Sequence, residues 1–86
     1  MKKRVLKNRL LELVQERERL INRRIKLKDL ASFVGVTNHT ITSWIRNDVR
    51  KYEAHIIEGL CDYFDCDIGD ILYFEWTESD SVTLDD

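Results

Sequence analysis

One continuous stretch decides the fold of this chain: LKDLASFVGVTNHTITSWIR, residues 27–46. Its first part predicts a helix with one buried face, because apolar side chains recur there at helical spacing. Those side chains are Leu27, Leu30, Ala31 and Val34. Gly35 then permits the left-handed backbone conformation that ends many helices. After it, Thr37 can cap a second short helix with its hydroxyl. The buried face of that helix is predicted to comprise Ile41, Trp44 and Ile45.

The order of these residues predicts how the two helices meet. The small side chain of Ala31 lets them cross at close range, and Gly35 makes the turn between them. A small residue, a turn glycine, and apolar residues six and nine positions beyond it are typical of a helix-turn-helix unit. In such a unit the second helix enters the major groove of DNA.

Charge is divided unevenly along the chain, although the net charge is only −2. Residues 2–51 contain all 14 Lys and Arg and five acidic residues, so their net charge is +9. Residues 53–86 contain the other 11 acidic residues and no Lys or Arg, so their net charge is −11. The total would argue against nucleic acid as a partner. The distribution argues for it, because a basic half that carries a helix-turn-helix is the electrostatic signature of a DNA-binding protein.

The totals indicate one small globular domain. The chain has 86 residues, and 43% of them are hydrophobic, which is enough for one modest core. No apolar run is long enough to cross a bilayer, and charged residues interrupt the region after the basic N-terminus where a signal peptide would be apolar. We therefore expect a cytoplasmic protein, associated with the nucleoid, without a membrane partner.

Five helices are expected along the chain. They are placed at residues 2–21, 27–34, 38–47, 53–64 and 70–73. The first should bury a stripe of Leu6, Leu10, Leu13 and Val14, and the fourth should bury Ile56 or Ile57 with Leu60, Cys61 and Phe64. Residues 17–26 form an unusually long connection, which either extends the first helix or makes a larger loop.

A second motif lies beyond the helix-turn-helix, at the end of the fourth predicted helix. Its residues are Ile57, Leu60, Cys61, Phe64, Asp65, Cys66, Gly69, Asp70, Ile71 and Leu72. Together the two blocks resemble the lambda-repressor/Cro-type (Xre) family of helix-turn-helix DNA-binding domains. The resemblance implies an all-α, five-helix lambda-repressor-like domain over residues 1–74, followed by a short acidic C-terminal tail at 75–86.

The candidate DNA contacts follow from the helical period and from the resemblance. Residues opposite the buried face of the third helix are expected to read base edges, and these are Asn38, His39, Thr42 and Ser43. Asn can form a bidentate pair with adenine, and a neutral imidazole can donate to or accept from a base. A larger set is expected at phosphates: Lys26, Lys28, Thr37, Thr40, Arg46, Asn47, Arg50 and Lys51. Thr37 is favoured mainly as a cap, and Asn47 could also end the helix.

Catalytic and metal chemistry find little support in the sequence. There is no Gly-rich phosphate loop and no nucleophile–base constellation, so we expect no enzyme activity and no cofactor. Cys61 and Cys66 are interpreted as reduced thiols that pack as small hydrophobes. A zinc site with His39 and His55 is the alternative, although no paired C-x-x-C spacing supports it.

The expected function is sequence-specific binding of double-stranded DNA as a transcriptional regulator, with repression favoured over activation. A homodimer is expected, with an interface through the fourth and fifth helices and the aromatic residues Tyr63, Tyr73, Phe74 and Trp76. The acidic half could orient the domain on DNA, weaken non-specific binding, or dock a basic protein. The alternative function is therefore a protein-interaction module, such as an antitoxin or a regulator's partner, that works through its acidic C-terminal surface.

Overall fold

The computed structural model describes residues 2–78, which form five helices and a two-stranded antiparallel sheet. In chain order the elements are β1 (Lys2–Asn8), α1 (Leu10–Ile21), α2 (Leu27–Val34), α3 (Asn38–Ile45), α4 (Ala54–Phe64), α5 (Ile68–Ile71) and β2 (Leu72–Glu78). The prediction of five helices is confirmed. The prediction of an all-α class is wrong, because the first and last described elements pair as strands.

The predicted first helix at 2–21 is wrong over its N-terminal third. Residues 2–8 form β1, which pairs with β2 in a register that runs from Lys2 opposite Glu78 to Asn8 opposite Leu72. Asn8 separates strand from helix, because its side-chain oxygen accepts a hydrogen bond from the backbone N–H of Leu10 at 2.9 Å. The aromatic composition of β2 (LYFEWTE) favours a strand, and this distant partner holds residues 2–8 extended.

The hydrophobic core lies where the five helices meet. Its buried members are Leu10, Val14, Leu30, Ala31, Ile41, Trp44, Ile56, Leu60, Phe64 and Ile71. The predicted faces of α2, α3 and α4 are thus largely confirmed, with Ile56 more deeply buried than Ile57. Leu6 does not belong to the α1 stripe, since it lies in β1. Gly59 lets α4 approach α2, because a Cβ there would lie 3.0 Å from Cγ1 of Val34.

The helix ends explain the connections. Gly35 has φ 87°, the left-handed conformation that the sequence predicts for it. The long connection is a loop at residues 22–26, since Asn22 ends α1 in a left-handed conformation, and the Glu18 carboxylate accepts from the Ile25 N–H at 2.8 Å.

Three more of the predicted helices differ from the structure in their bounds. α4 begins at Ala54, one residue later than predicted, and α3 ends at Ile45 rather than at 47. α5 begins two residues earlier than predicted and gives Tyr73 to β2. It begins there because Asp67 and Asp70 form a reciprocal capping box at its start.

Three findings bear on the remaining predictions. Residues 75–78 of the predicted acidic tail belong to β2, and residues 79–86 lie outside the described part of the chain. No helix within residues 2–78 is long and apolar enough to span a bilayer. Over the same residues, no cluster of three or more His, Cys, Asp or Glu has the arrangement of a metal site.

Candidate nucleic-acid interface

The second helix of the bihelical unit, α3, is fixed by its buried face. Ile41 and Trp44 are 0% and 1% exposed, and the Trp44 ring makes an edge-to-face contact with Tyr52 at a centroid distance of 5.1 Å. At the N-terminus, the Thr37 hydroxyl accepts from the Thr40 backbone N–H at 3.2 Å, so the predicted cap is confirmed. Burial of one face and a capped start together determine which side chains α3 presents to solvent.

The predicted base-reading residues lie on that solvent side. Asn38 and His39 are exposed in the first turn, while Thr42 and Ser43 are half-buried one turn further on. The Asn38 amide offers both a donor and an acceptor, which suits the N6/N7 edge of adenine. His39, Thr42 and Ser43 add short polar groups beside it. The four residues therefore form a polar ridge along the outer side of α3.

Several of the predicted phosphate-contacting residues lie beside this ridge. An open groove next to α3 is lined by His39, Thr40, Ser43, Arg50 and Lys51, together with the acids Asp48 and Glu53. The side chains of Arg50 and Lys51 are exposed, so the guanidinium group of Arg50 and the ammonium group of Lys51 are accessible to a phosphate. The Thr40 hydroxyl lies 3.1 Å from that of Thr37, which places two hydroxyls at the N-terminal end of α3.

The remaining predicted cations lie at other points around the unit. Lys26 precedes α2 without making a side-chain cap, and Lys28 is in its first turn. Both are exposed, as is Arg46 at the C-terminal end of α3. Lys26 shares a surface depression with Arg23 and Arg24, in the loop that precedes α2. The structure thus places one basic group before α2 and another after α3.

Asn47 is predicted to contact a phosphate, but in the structure it also connects the end of α3 to β1. It lies one residue beyond the helix cap Arg46, with φ 59°, and its side-chain amide pairs with the Asn8 peptide. Its Oδ1 accepts from the Asn8 backbone N–H at 2.8 Å and from Asn8 Nδ2 at 3.1 Å, and its Nδ2 donates to the Asn8 carbonyl at 3.0 Å. One amide hydrogen of Asn47 is left for any other contact.

Sequence reasoning missed this connection and the surface that it creates. Because Asn47 pairs with Asn8, β1 lies next to the loop that follows α3, and Lys3 and Lys7 line the cleft between them. The basic N-terminus is visible in the sequence, but a helical prediction for residues 2–21 placed these lysines elsewhere. The only local signal is Asn8 itself, because Asn is common where a helix begins.

The cysteines are placed side by side at the end of α4. Both thiols are free and half-buried. Burial raises the pKa of the Cys66 thiol to about 11, and neighbouring Cys61 and the carboxylates of Asp70 and Asp67 add to the shift. The pKa of Cys61 is also raised, mainly by burial. Such thiols stay protonated at neutral pH, which suits packing groups better than reactive ones.

A capped, core-anchored second helix with an exposed polar ridge, together with basic groups before α2 and after α3, defines a helix-turn-helix DNA-binding domain. The comparisons with known proteins identify the family. The model of the Cro/C1-type HTH DNA-binding domain family matches residues 17–76, which are 60 of the 86 residues, and the chain belongs to this family. No curated protein and no solved structure matches the chain. The protein is therefore a DNA-binding transcription regulator of the Cro/C1 type, and the resemblance to lambda-repressor/Cro-type proteins is confirmed.

Proposed function

We propose that this protein is a sequence-specific repressor that reads the major groove of double-stranded DNA with residues 38–47. The observation that carries the proposal is the polar ridge of α3, exposed on one side while Ile41 and Trp44 are buried on the other. Repression is the simplest action for one small domain, because a protein that occupies a promoter blocks it without a further activating surface. Such a protein would act in the cytoplasm, on the nucleoid.

The two kinds of DNA contact are assigned to different residues. Asn38, His39, Thr42 and Ser43 read base edges and so carry the sequence preference. The phosphate contacts position the domain and carry the salt dependence. They come from the N-terminal end of α2, from both ends of α3, and from the loop that follows it: Lys26, Lys28, Thr37, Thr40, Arg46, Asn47, Arg50 and Lys51. Asn47 contributes less than the others, because its side chain is already paired with Asn8.

Selection of bound sequences from a random duplex pool tests the proposal, because it returns the site and its symmetry together. On the selected site, Asn38→Ala and His39→Ala should each weaken binding by about 1–3 kcal/mol and relax the preference at one base pair. Gln15→Ala is the matched control, since Gln15 is exposed on α1, away from the ridge. Equal losses on selected and random DNA would refute base reading by these two residues.

A homodimer is proposed as the binding form, because one domain of this size covers a small part of an operator. The aromatic residues of the predicted interface make separate sets of contacts. Tyr63 packs against Phe33 and Phe64, whereas Phe74 and Trp76 flank the guanidinium of Arg4 on the sheet. We therefore limit the interface to the sheet face that carries Arg4, Phe74 and Trp76.

A second copy fits this face because the face is self-complementary. Phe74 and Trp76 are 57% and 58% exposed, and Arg4 lies 5.1 and 4.9 Å from their ring centroids. Across a two-fold axis, the cation of each protomer could meet the aromatic rings of the other. Light scattering should give the mass of a dimer, and Trp76→Ser should shift it towards a monomer while Phe33→Ser, equally exposed elsewhere, should not. A monomeric wild-type protein at high concentration would refute the dimer.

A protein-interaction module is the second candidate function, and one observation favours it. Exposed carboxylates follow one another over α4, α5 and the turn between them: Glu58, Asp62, Asp65, Asp67 and Asp70. Such a surface could dock a basic protein, as an antitoxin or a regulator's partner does. The salt dependence of DNA binding separates the two functions. For the repressor, log affinity falls steeply with log salt, whereas an interaction module would show little affinity for DNA at any salt concentration.

A further inference from the structure

The outer edge of β1 borders a cleft that the DNA contacts assigned above do not include. On one side the cleft is lined by residues 3–7 of β1, and on the other by residues 47–50 and Tyr52, in the loop that follows α3. The loop is held against the strand at two points. Asn47 pairs with the Asn8 peptide, and the Tyr52 hydroxyl lies 3.5 Å from the Leu6 carbonyl to which it donates.

Backbone donors of β1 face this cleft. The Asn8 N–H donates to Asn47 and so points away from β2. Because alternate residues of an edge strand point their N–H groups to the same side, the N–H groups of Leu6 and Arg4 also point away from β2. A second observation supports this orientation for Leu6. Its carbonyl accepts a hydrogen bond from Tyr52, and the N–H and C=O of one strand residue point to the same side. The edge therefore presents the N–H groups of Leu6 and Arg4 towards the loop, together with the Arg4 carbonyl, while the Leu6 carbonyl is paired with Tyr52.

The cleft is strongly basic. Lys3 and Lys7 line it from the strand and Arg50 lines it from the loop, while Asp48 is the one acid among the lining residues. Arg4 also lines the cleft, but its guanidinium lies over the rings of Phe74 and Trp76. Lys3 and Lys7 lie four residues apart and so on the same face of β1. Basic side chains together with unpaired N–H groups are the donors that bind phosphate oxygens.

The cleft continues the surface that α3 presents to DNA. Asp48, Val49 and Arg50 line both this cleft and the groove beside the polar ridge, so the two meet at the loop after α3. A DNA strand that borders the major groove and passes Arg50 would reach β1 next. The ammonium groups of Lys3 and Lys7 then lie along the path of the flanking backbone.

We propose that this cleft is a second phosphate-binding site, which holds the DNA backbone beyond the base pairs that α3 reads. The inference rests on the proposed DNA-binding function and adds a strand, β1, to its interface. The ligand is the phosphate backbone of duplex DNA. The site contributes affinity and salt dependence without sequence preference, because it contacts no base.

The first test is the salt dependence of binding to the selected site. The double variant Lys3→Gln/Lys7→Gln should reduce the slope of log affinity against log salt by about 1.8, since each lost phosphate contact removes about 0.9. At 0.1 M salt the affinity should fall roughly 10- to 60-fold, with the selected sequence unchanged. Arg19→Gln, which removes an exposed charge on α1, is the control and should leave the slope nearly unchanged. An unchanged slope in the double variant would overturn the proposal.

The second test consists of two experiments: one replaces Asp48, the acidic residue of the cleft, and the other shortens the DNA duplex. Asp48→Asn should raise affinity several-fold, because it removes the lining carboxylate, whereas Glu16→Gln on α1 should not. Shortening the duplex on the flank of the selected site should weaken wild-type binding but not that of Lys3→Gln/Lys7→Gln. An equal loss for both proteins would overturn the site while leaving DNA binding by α3 intact. If the wild-type protein bound no DNA, the proposed function itself would fail.

Discussion

Removing the Asn47 side chain should destabilise the fold, because it breaks the connection between β1 and the loop that follows α3. Asn47 is half-buried, and it makes three hydrogen bonds to Asn8, a residue that is only 3% exposed. Asn47→Gly deletes these bonds but keeps the left-handed backbone at φ 59°, which glycine adopts freely. The variant therefore isolates the hydrogen bonds from the backbone.

The size of the effect follows from the groups left behind. Asn47→Gly strands the backbone N–H, the carbonyl and the side-chain amide of Asn8, and an unsatisfied buried polar group costs about 1–3 kcal/mol. Partial access to water reduces this, so we expect a loss of about 3 kcal/mol for the three groups together. Asn47→Ala should lose about 1 kcal/mol more, because a side chain with a Cβ resists the left-handed conformation. A loss of this size is a large fraction of the stability of a small domain.

Urea unfolding, followed by circular dichroism and by tryptophan fluorescence, which comes from buried Trp44 and exposed Trp76, measures these losses. Asn22 supplies the control, because it has a similar left-handed conformation at φ 55° but is exposed. Asn22→Gly should be nearly neutral, and Asn22→Ala should show the backbone cost alone. If the free energy of unfolding of Asn47→Gly lies within about 0.5 kcal/mol of the wild-type value, the pairing with Asn8 does not hold β1 against the loop after α3, and the reasoning is refuted.

Two further predictions concern packing and thiol chemistry. Gly59→Ala should lower the free energy of unfolding by about 1 kcal/mol, because the cost of a Cβ that lies 3.0 Å from Val34 Cγ1 outweighs the roughly 0.5–1 kcal/mol that Ala gains over Gly within a helix, whereas Gly69→Ala, with nothing within 4 Å, should not destabilise the fold in the same urea experiment. Cys66 should react slowly with iodoacetamide, because a pKa of about 11 against the ordinary 9.0 reduces its thiolate at pH 8 roughly a hundredfold. The raised pKa also contributes to the free energy of unfolding. This contribution should be complete below pH 9 and lost as the pH rises towards 11. If Cys66 were alkylated as fast in the folded as in the unfolded protein, its pKa would not be raised, and both predictions would be contradicted.

The sequence predicts α2, α3 and α4 well because their signals are local. The apolar spacing around Gly35 is satisfied within one stretch, and the helices pack on their sequence neighbours. β1 is different, because its partner is β2, some 70 residues further along the chain. Within residues 2–14, Leu6, Leu10, Leu13 and Val14 fit one helical face, and the local pattern does not show that the helix begins only at Leu10. A strand that owes its conformation to a distant partner is not encoded in its own periodicity.

The candidate site divides in the same way. The exposure of Asn38 and His39 follows from the helical period once Ile41 and Trp44 are assigned to the core, and both are exposed in the structure. The role of Asn47 does not follow from any local pattern, since it depends on a residue 39 positions earlier. For the same reason, the sequence reveals that the N-terminus is basic but not which surface those charges join.

Asn47 fixes the two parts of the proposed DNA interface, α3 and β1, relative to each other. Asn47, two residues beyond the end of α3, is hydrogen-bonded to Asn8, which ends β1, so α3 and the basic strand are positioned by one set of hydrogen bonds. If β1 were free to move, its lysines would have to be ordered on DNA, and the entropy of that ordering would oppose binding. A strand already fixed beside the loop avoids this loss. The cleft can therefore contribute to affinity through charges that are in place before DNA arrives, while α3 carries the residues that are proposed to read the sequence.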